Sequence, residues 1–270
     1  MIIDLTDQQA YAYTGGKPFD PALPCIAFIH GALHDHSTWT LPARWFAHHG
    51  HSVLALDQPG HMRSRGPVCP DIPSIAQWLL RVIDAVGAQQ VTLVGHSMGS
   101  LIALEAAAQA PERIQTLVMV GTAYPMAVSP ALLQAAEDQP GQGIEMVNNF
   151  SISTWAAKPG YPGPGSWLHG GNRALMHRVM ASNGQVNLFS HDFRLCNEYR
   201  TAEAAMPRVK ARTHLVLGER DQMTLPKATG QLRQGLQATV HTVPAGHGLM
   251  HEDPDQFLRV LRSITAPAAV

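Results

Sequence analysis

In the first half of the chain, short apolar runs alternate with longer stretches in which apolar residues recur at helical spacing. The runs are CIAFIHG (25–31), SVLALD (52–57), VTLVGHS (91–97) and TLVMVGTA (116–123). Runs that are apolar at successive positions, rather than at every second one, are typical of strands covered on both faces. The alternation predicts parallel strands joined by right-handed helical crossovers, with helices on both faces of the sheet.

This pattern stops between residues 124 and 206 and then resumes. Within that stretch methionines and aromatic residues stand among glycines and prolines, and GYPGPG (160–165) predicts a loop. The pattern returns with THLVLGERD (213–221), TVHTVPAGH (239–247) and the amphipathic PDQFLRVLRSI (254–264). We predict one α/β core formed by 1–123 and 207–270, with 124–206 inserted into it. Near the start, YAYTGG (11–16) predicts an antiparallel edge hairpin with the first residues.

Charge and cysteine content exclude several kinds of partner. The 19 Lys and Arg residues are balanced by 20 Asp and Glu, which leaves a net charge of −1 and no basic run to follow a phosphate backbone. Cys25, Cys69 and Cys196 are widely spaced and form no Cys-x-x-Cys pair, which argues against a disulfide framework or a zinc site. We therefore expect no nucleic-acid partner and a reducing, cytoplasmic location.

Length and hydropathy favour one globular unit. With 270 residues, of which 45% are apolar, the chain can bury the core of a single large domain. The segment MIIDLTDQQA carries acids early and lacks the basic-then-apolar order of a signal peptide. No strongly apolar run reaches the ~18 residues of a membrane span, so we expect no membrane partner. The oligomeric state is left open.

The segment VTLVGHSMGSLIALEAAAQA (91–110) combines an apolar run, a sharp turn and an alanine-rich helical stretch. Gly95 and Gly99 bracket Ser97 as G-x-S-x-G, a spacing that allows a tight turn and leaves the hydroxyl at its tip. A serine hydroxyl is a poor nucleophile unless a histidine accepts its proton and an acid orients that histidine. Ser97 is therefore a candidate nucleophile that needs two partners.

Both partners can be found after the insertion. Asp221 ends one predicted strand and His247 follows the next, so each lies beyond the carboxyl end of a parallel strand, as Ser97 does. The order Ser, Asp, His is that of α/β-hydrolases. His241 and His251 are close rivals for the base, but His241 is expected inside a strand and His251 at the start of the last helix. We predict a catalytic triad of Ser97, Asp221 and His247.

Across nearly its whole length the chain resembles the α/β-hydrolase superfamily, in the capped branch that contains carboxylesterases, lactonases and carbon–carbon bond hydrolases. The matching motifs are HGALHDHSTW (30–39), DQPGHMRS (57–64), GHSMGS (95–100), GERDQMTLP (218–226) and GHGLMHEDP (246–254). The resemblance implies an α/β-hydrolase fold in which 124–206 forms a mainly helical cap over the site. Met62 stands where the family usually has glycine, so we expect an altered turn there, with Met62 as a candidate pocket residue.

An acyl-transfer reaction also needs hydrogen-bond donors for the oxygen that becomes negative. The backbone N–H of Met98, which follows the nucleophile, is one expected donor. The resemblance maps the second donor to Ala32, with Leu33 as the less favoured choice. For the substrate pocket we predict Leu33 and four apolar residues of the insertion, which have the adaptable character of a binding wall. These four are Met126, Met146, Phe150 and Trp155.

We therefore predict a cofactor-independent serine hydrolase whose substrate is a small, neutral, fairly apolar carboxylic ester or lactone. A carbon–carbon bond hydrolase acting on a vinylogous diketone is an alternative, although HGALHD lacks the extra glycines usual in that group and His96 stands where Asn is common there. A ligand receptor without turnover is a second alternative, since one fold can serve both purposes. The complete triad argues against it.

Other conspicuous polar residues are expected to be structural. The HDH triplet at 34–36 lacks a second cluster at a matching spacing, so we predict solvated loop side chains and no metal site. His30 and His96 flank the predicted site and are expected to hold loops through hydrogen bonds. Asp57 and Arg63 are expected to be structural as well.

Overall fold

A computed structural model, which describes residues 1–153 and 167–266, contains one eight-stranded sheet in the order β1-β2-β4-β3-β5-β6-β7-β8. The strands are β1 (Ile2–Asp4), β2 (Gln9–Tyr13), β3 (Cys25–Ile29), β4 (Ser52–Asp57), β5 (Val91–His96), β6 (Ile114–Val120), β7 (Arg212–Gly218) and β8 (Thr239–Val243). Strands β3 to β8 are parallel, whereas β1 and β2 form an antiparallel hairpin joined to β4. The predicted doubly covered parallel sheet and its edge hairpin are confirmed.

Helices connect the strands and fill the interval between β6 and β7. The core helices are α1 (Thr40–Ala47), α2 (Ile72–Ala85), α3 (Met98–Gln109), α9 (Gly230–Gly235), α10 (Leu249–Glu252) and α11 (Pro254–Thr265). Between β6 and β7 lie α4 (Pro130–Asp138), α5 (Pro140–Ser151), α6 (Leu168–Ala181), α7 (Leu188–Glu198) and α8 (Ala202–Ala205). The described part of this interval is thus helical, as expected of the insertion. The predicted GYPGPG loop lies outside the described residues.

The side chains of each central strand point alternately to two hydrophobic cores, one on each face of the sheet. In β3, Ile26 and Phe28 contribute to the core shared with α1 and α11, whereas Ala27 and Ile29 contribute to the core shared with α2 and α3. Both faces are therefore covered, which explains why these strands are apolar at successive positions. Among the described residues no helix is both long and apolar enough to cross a bilayer.

Candidate active site

Ser97 occupies a sharp turn between β5 and α3. Its backbone has φ of 50° and ψ of −120°, a left-handed φ that a non-glycine residue adopts rarely and at some energetic cost. The flanking glycines make this turn possible, because a Cβ atom at Gly95 would lie 2.1 Å from the carbonyl oxygen of Gly99. A Cβ atom at Gly99 would lie 2.4 Å from the carbonyl oxygen of Ile29. Only glycine fits at either position, which accounts for the G-x-S-x-G spacing.

Asp221 and His247 are joined by a hydrogen bond at the ends of β7 and β8. The Nδ1 atom of His247 lies 2.8 Å from Oδ2 of Asp221, and both side chains are buried. Thr224 donates its backbone N–H and its hydroxyl to the same carboxylate, at 2.9 and 2.8 Å. Burial alone would raise the pKa of Asp221, but His247 and Thr224 outweigh it, so the pKa lies below its ordinary value. Asp221 is therefore ionised and orients His247.

His96 lies beside the His247 ring and is hydrogen-bonded to its backbone. The Nε2–H of His96 donates to the carbonyl oxygen of His247 at 2.9 Å, and the two ring centroids are 4.6 Å apart. Burial, together with the nearby His247, lowers the pKa of His96 well below its ordinary value, so this ring is neutral. Because His96 precedes Ser97 directly, these contacts bring the loop of His247 to the Ser97 turn.

The loop that carries His247 is also tied to the insertion. The N–H groups of His247 and Gly248 both donate to the carbonyl oxygen of Ser151, the last residue of α5, at 2.7 and 3.2 Å. The buried carboxylate of Glu252 accepts the N–H of Gly246 at 2.9 Å and that of Ser153 at 3.1 Å. The position of the imidazole therefore depends on residues that the sequence pattern does not connect with it.

The two rival histidines lie elsewhere. His241 is in β8, where its Nε2 atom lies 3.1 Å from Nδ1 of His214 on β7. His251 is in the short helix α10 and is hydrogen-bonded to the backbone of Thr38. Burial lowers the pKa of His251 to about 4. Only His247 contacts the Asp221 carboxylate among these three.

The loop after β3 lies beside Ser97, since a Cβ atom at Gly31 would lie 3.2 Å from Cβ of Ser97. Within the described residues, the N–H of Ala32 has no acceptor, and that of Met98 lies in the first turn of α3, where intrahelical acceptors are lacking. The N–H of Leu33, by contrast, donates to Oδ2 of Asp192 at 2.8 Å. Among the described residues, the N–H groups of Ala32 and Met98 are thus not engaged by a protein acceptor, whereas that of Leu33 is.

A cavity of about 600 Å³ opens beside His247, between α6 and the loops after β3 and β8. Its apolar wall includes Ile152, Trp167, Leu168, Leu175 and Met250. Its polar wall includes His34, Ser37, Thr38, His96, Asn172, Arg178, His251 and Glu252. Most of the lining surface is apolar, with polar side chains interrupting it, and its size suits a small ligand.

Four of the residues predicted to bind substrate lie within the described part of the chain, and they do not line this cavity. Leu33 is fully buried and Met126 is 6% exposed, and both belong to the hydrophobic core. Met146 packs against that core, and Phe150 is 49% exposed to solvent. Trp155 lies outside the described residues. Helical periodicity identifies the inward face of each insertion helix but not which part of that face meets the cavity.

The HDH triplet is engaged in hydrogen bonds and only partly exposed, contrary to the expectation of solvated loop side chains. Nδ1 of His34 lies 2.7 Å from the carbonyl oxygen of Ala32 and its Nε2 lies 2.8 Å from Oδ1 of Asn172. Asp35 is fully buried and its carboxylate accepts a hydrogen bond from Arg178 at 2.7 Å, while His36 lies 2.7 Å from the Asp57 carboxylate. The described residues contain no group of three or more potential protein ligands that could hold a metal ion.

Met62 is the remaining candidate pocket residue. Met62 has a left-handed φ of 44°, a backbone conformation that glycine favours. It packs against the core and does not line the cavity.

His30 is fully buried below the loop after β3, where its Nε2 accepts the N–H of Gln58 at 3.1 Å. Burial and the neighbouring His61 lower the pKa of His30 to about 4, so this ring is neutral.

The fold and this arrangement agree with the comparison to known families. The chain belongs to the alpha/beta hydrolase fold family, whose model matches residues 24–254. Among curated proteins it is similar to the (E)-2-((N-methylformamido)methylene)succinate hydrolase of Acinetobacter baylyi, with 29% identity over 115 residues. That match covers 42% of this chain and 43% of the relative, so the chain spans less than half of the relative's length.

Two solved structures have the same fold over almost the whole chain. An esterase from Exiguobacterium antarcticum superposes with a TM-score of 0.81 at 16% identity, covering 97% of each chain. The enol-lactonase from Burkholderia xenovorans LB400 superposes with a TM-score of 0.78 at 18% identity, covering 98% of this chain and 99% of that one. At this level of identity the similarity establishes the shared fold alone.

Proposed function

We propose that this chain is a serine hydrolase that cleaves a small, uncharged carboxylic ester or lactone through an acyl-enzyme on Ser97. The observation that carries the proposal is the buried 2.8 Å hydrogen bond between His247 and Asp221, in a loop held against the Ser97 turn by His96. Ester and lactone hydrolases among the similar structures support the same reaction class.

In this proposal the Nδ1–H of His247 donates to Asp221, which leaves the Nε2 lone pair free to accept the proton of the Ser97 hydroxyl. The Ser97 oxygen attacks the substrate carbonyl, and the same proton is then given to the departing alcohol. Water then attacks the acyl-enzyme: His247 accepts a proton from the water and gives it to the Ser97 oxygen as the acid is released. Ionised Asp221 stabilises the imidazolium that forms in each step.

The developing negative charge on the carbonyl oxygen is assigned to the N–H groups of Ala32 and Met98. The Met98 donor lies at the N-terminus of α3, where the helix dipole also favours a negative charge. Removal of one such donor in a hydrolase costs roughly 10²–10³ in turnover, so the loop after β3 must be held accurately.

The cavity beside His247 supports an uncharged substrate. Its charged lining residues are already engaged, because Arg178 pairs with Asp35 and Glu252 accepts N–H groups from Gly246 and Ser153. Each buried methylene contributes about 0.8 kcal/mol, so kcat/KM should rise by up to a few-fold per acyl carbon and fall once the cavity is full.

The test combines a fluorophosphonate probe with a panel of p-nitrophenyl esters, lactones and a vinylogous diketone. Wild-type protein should be labelled at Ser97 and should cleave short esters, while Ser97→Ala should lose both properties and remain folded by circular dichroism. Ser129→Ala, which alters the cap of α4 far along the chain, is the matched control. If esters and lactones are inert while the diketone turns over, a carbon–carbon bond hydrolase replaces this proposal.

A further inference from the structure

The peptide group between Ala32 and Leu33 is held at both of its polar atoms by side chains. Its carbonyl oxygen, that of Ala32, lies 2.7 Å from Nδ1 of His34. Its N–H, that of Leu33, donates to Oδ2 of Asp192 at 2.8 Å. Leu33 has a left-handed φ of 53°, a conformation that a branched side chain resists. The loop therefore needs external contacts to keep this shape.

Asp192 comes from α7, within the insertion, 159 positions away from Leu33. Its side chain is 1% exposed, and the same Oδ2 atom lies 2.9 Å from Nε2 of His61. Burial disfavours the charged form of both groups, but their mutual attraction outweighs it, so the pKa of His61 is raised and that of Asp192 is lowered. Both ring nitrogens of His61 also face acceptors, since Nδ1 lies 3.1 Å from the carbonyl oxygen of Pro59, which favours the protonated ring. A buried carboxylate and imidazolium thus pair beside the loop.

The charge balance explains why a carboxylate can be tolerated so close to a site where negative charge develops. An isolated carboxylate here would repel an oxyanion, but the imidazolium of His61 compensates it locally. The carboxylate can therefore act as a strong hydrogen-bond acceptor for Leu33 without a net negative field.

We propose that Asp192 is a positioning residue that sets the oxyanion-binding N–H of Ala32 by fixing the following peptide. The inference rests on the proposed function, because it assigns a role within the same site. In this role the insertion helix α7 does more than cover the site, since it determines the geometry of the donor loop. Asp192 touches neither the substrate nor the reacting atoms and acts through Leu33.

The second-order rate constant for fluorophosphonate labelling of Ser97 tests this without knowledge of the natural substrate. The phosphonyl oxygen of the probe takes the place of the substrate carbonyl oxygen and needs the same N–H donors. Asp192→Leu removes the acceptor, and we expect labelling to slow by about ten- to a hundredfold, up to the lower end of the range seen when one donor is lost outright. Asp192→Glu keeps the charge but moves the acceptor, so it should also slow labelling. Asp192→Asn keeps an oxygen at the same place and should stay within about threefold of wild type.

Steady-state kinetics with p-nitrophenyl acetate separate positioning from binding. We expect the Leu and Glu variants to lower kcat with little change in KM, and to weaken inhibition by a trifluoromethyl ketone, which forms a tetrahedral adduct, in parallel with kcat/KM. Asp192→Glu retains the buried ion pair and keeps the test informative if Asp192→Leu does not fold.

Glu105 provides the matched control, because it is another buried carboxylate and accepts a hydrogen bond from Tyr199 at 2.9 Å. Glu105→Gln and Glu105→Leu should label within about twofold of wild type when folded. Wild-type rates in a folded Asp192→Leu or Asp192→Glu variant, or an equal loss in Glu105→Leu, would overturn the role of Asp192. Absence of labelling in the wild type would instead overturn the proposed function.

Discussion

Gly121 lies directly against the imidazole of His247. A Cβ atom at Gly121 would lie 3.2 Å from Nδ1 and 3.3 Å from Cε1 of His247, and 3.3 Å from Cδ2 of His96. Gly121 follows β6, and its N–H donates to the carbonyl oxygen of Val216 in β7 at 2.9 Å. Gly121, at the end of the strand between those that precede Ser97 and Asp221, thus leaves just enough space for the imidazole of His247.

Gly121→Ala is expected to reduce kcat by about tenfold, although Ser97, Asp221 and His247 are themselves not substituted. The added methyl group pushes the ring away from its position, and small displacements of catalytic groups are costly. The measurement is kcat for p-nitrophenyl acetate together with the urea midpoint of unfolding.

Gly50→Ala is the control for backbone strain, because Gly50 also has a positive φ, 83°, but a Cβ atom there would meet nothing within 4 Å. Each substitution should cost about 1 kcal/mol of stability for the unfavourable φ. An equal fall in kcat for both variants would show that contact with His247 is not the cause.

Replacing the proposed base should be far more damaging than replacing its rivals. His247→Ala is expected to reduce kcat by about 10⁴- to 10⁶-fold, the scale on which loss of a triad histidine acts. His241→Gln should stay near wild type, since His241 faces His214. His251→Gln should alter KM more than kcat, because His251 lines the cavity. If His251→Gln proves inactive and His247→Ala active, the base has been misassigned.

Sequence reasoning performs best where the local pattern itself determines the structure. The apolar strands, the crossovers and the Ser97 turn follow from period and glycine spacing, because both act within a few residues along the chain. The sequence carries one signal for Gly121, its place immediately after an apolar strand, since such positions border the carboxyl edge of the sheet.

The remaining site residues have no such signal. The contact between Asp192 and Leu33 depends on how α7 packs over the core, and helical periodicity leaves that orientation undetermined. For the same reason Met126, expected in the pocket, lies in the hydrophobic core, while Leu175 of α6 lines the cavity. Long-range packing of the insertion therefore sets the pocket.

The cavity assignment predicts a change in substrate length preference. Leu175→Trp adds volume to the wall formed by α6, so cleavage of long-chain p-nitrophenyl esters should fall by about tenfold or more while acetate is little affected. The comparison requires kcat/KM across an acyl series from acetate to octanoate.

Phe150→Trp serves as the control, because Phe150 is half exposed and does not line the cavity. It should leave the whole series unchanged. A chain-length preference that shifts with Phe150→Trp but not with Leu175→Trp would place the acyl pocket elsewhere.

The buried, neutral His30 predicts a loss of stability in mild acid. Its ring must stay neutral in the folded state because Nε2 accepts the N–H of Gln58, and its pKa there is about 4. In the unfolded chain an imidazole has a pKa of about 6.5, so the unfolded state binds more protons below that pH. The free energy of unfolding should therefore fall as pH decreases from 6.5 towards 4, by up to about 1.4 kcal/mol per pH unit from this group.

Urea titrations at several pH values between 4.5 and 6 measure this slope directly. His30→Gln should be less stable at neutral pH. Its free energy of unfolding should also vary less steeply with pH, by the contribution of about one bound proton. His61 has the opposite sign, because its raised pKa adds stability that is complete below about 6.5 and is lost as pH rises through the folded-state value. It therefore adds no slope below about pH 6.5. His96, His214 and His251, whose pKa values are also lowered by burial, act in the same direction as His30, so the variant measures the share of the slope that belongs to His30. His177→Gln, at an exposed position on α6, controls for removal of a histidine. Identical slopes in wild type and His30→Gln would mean that His30 does not drive the acid sensitivity.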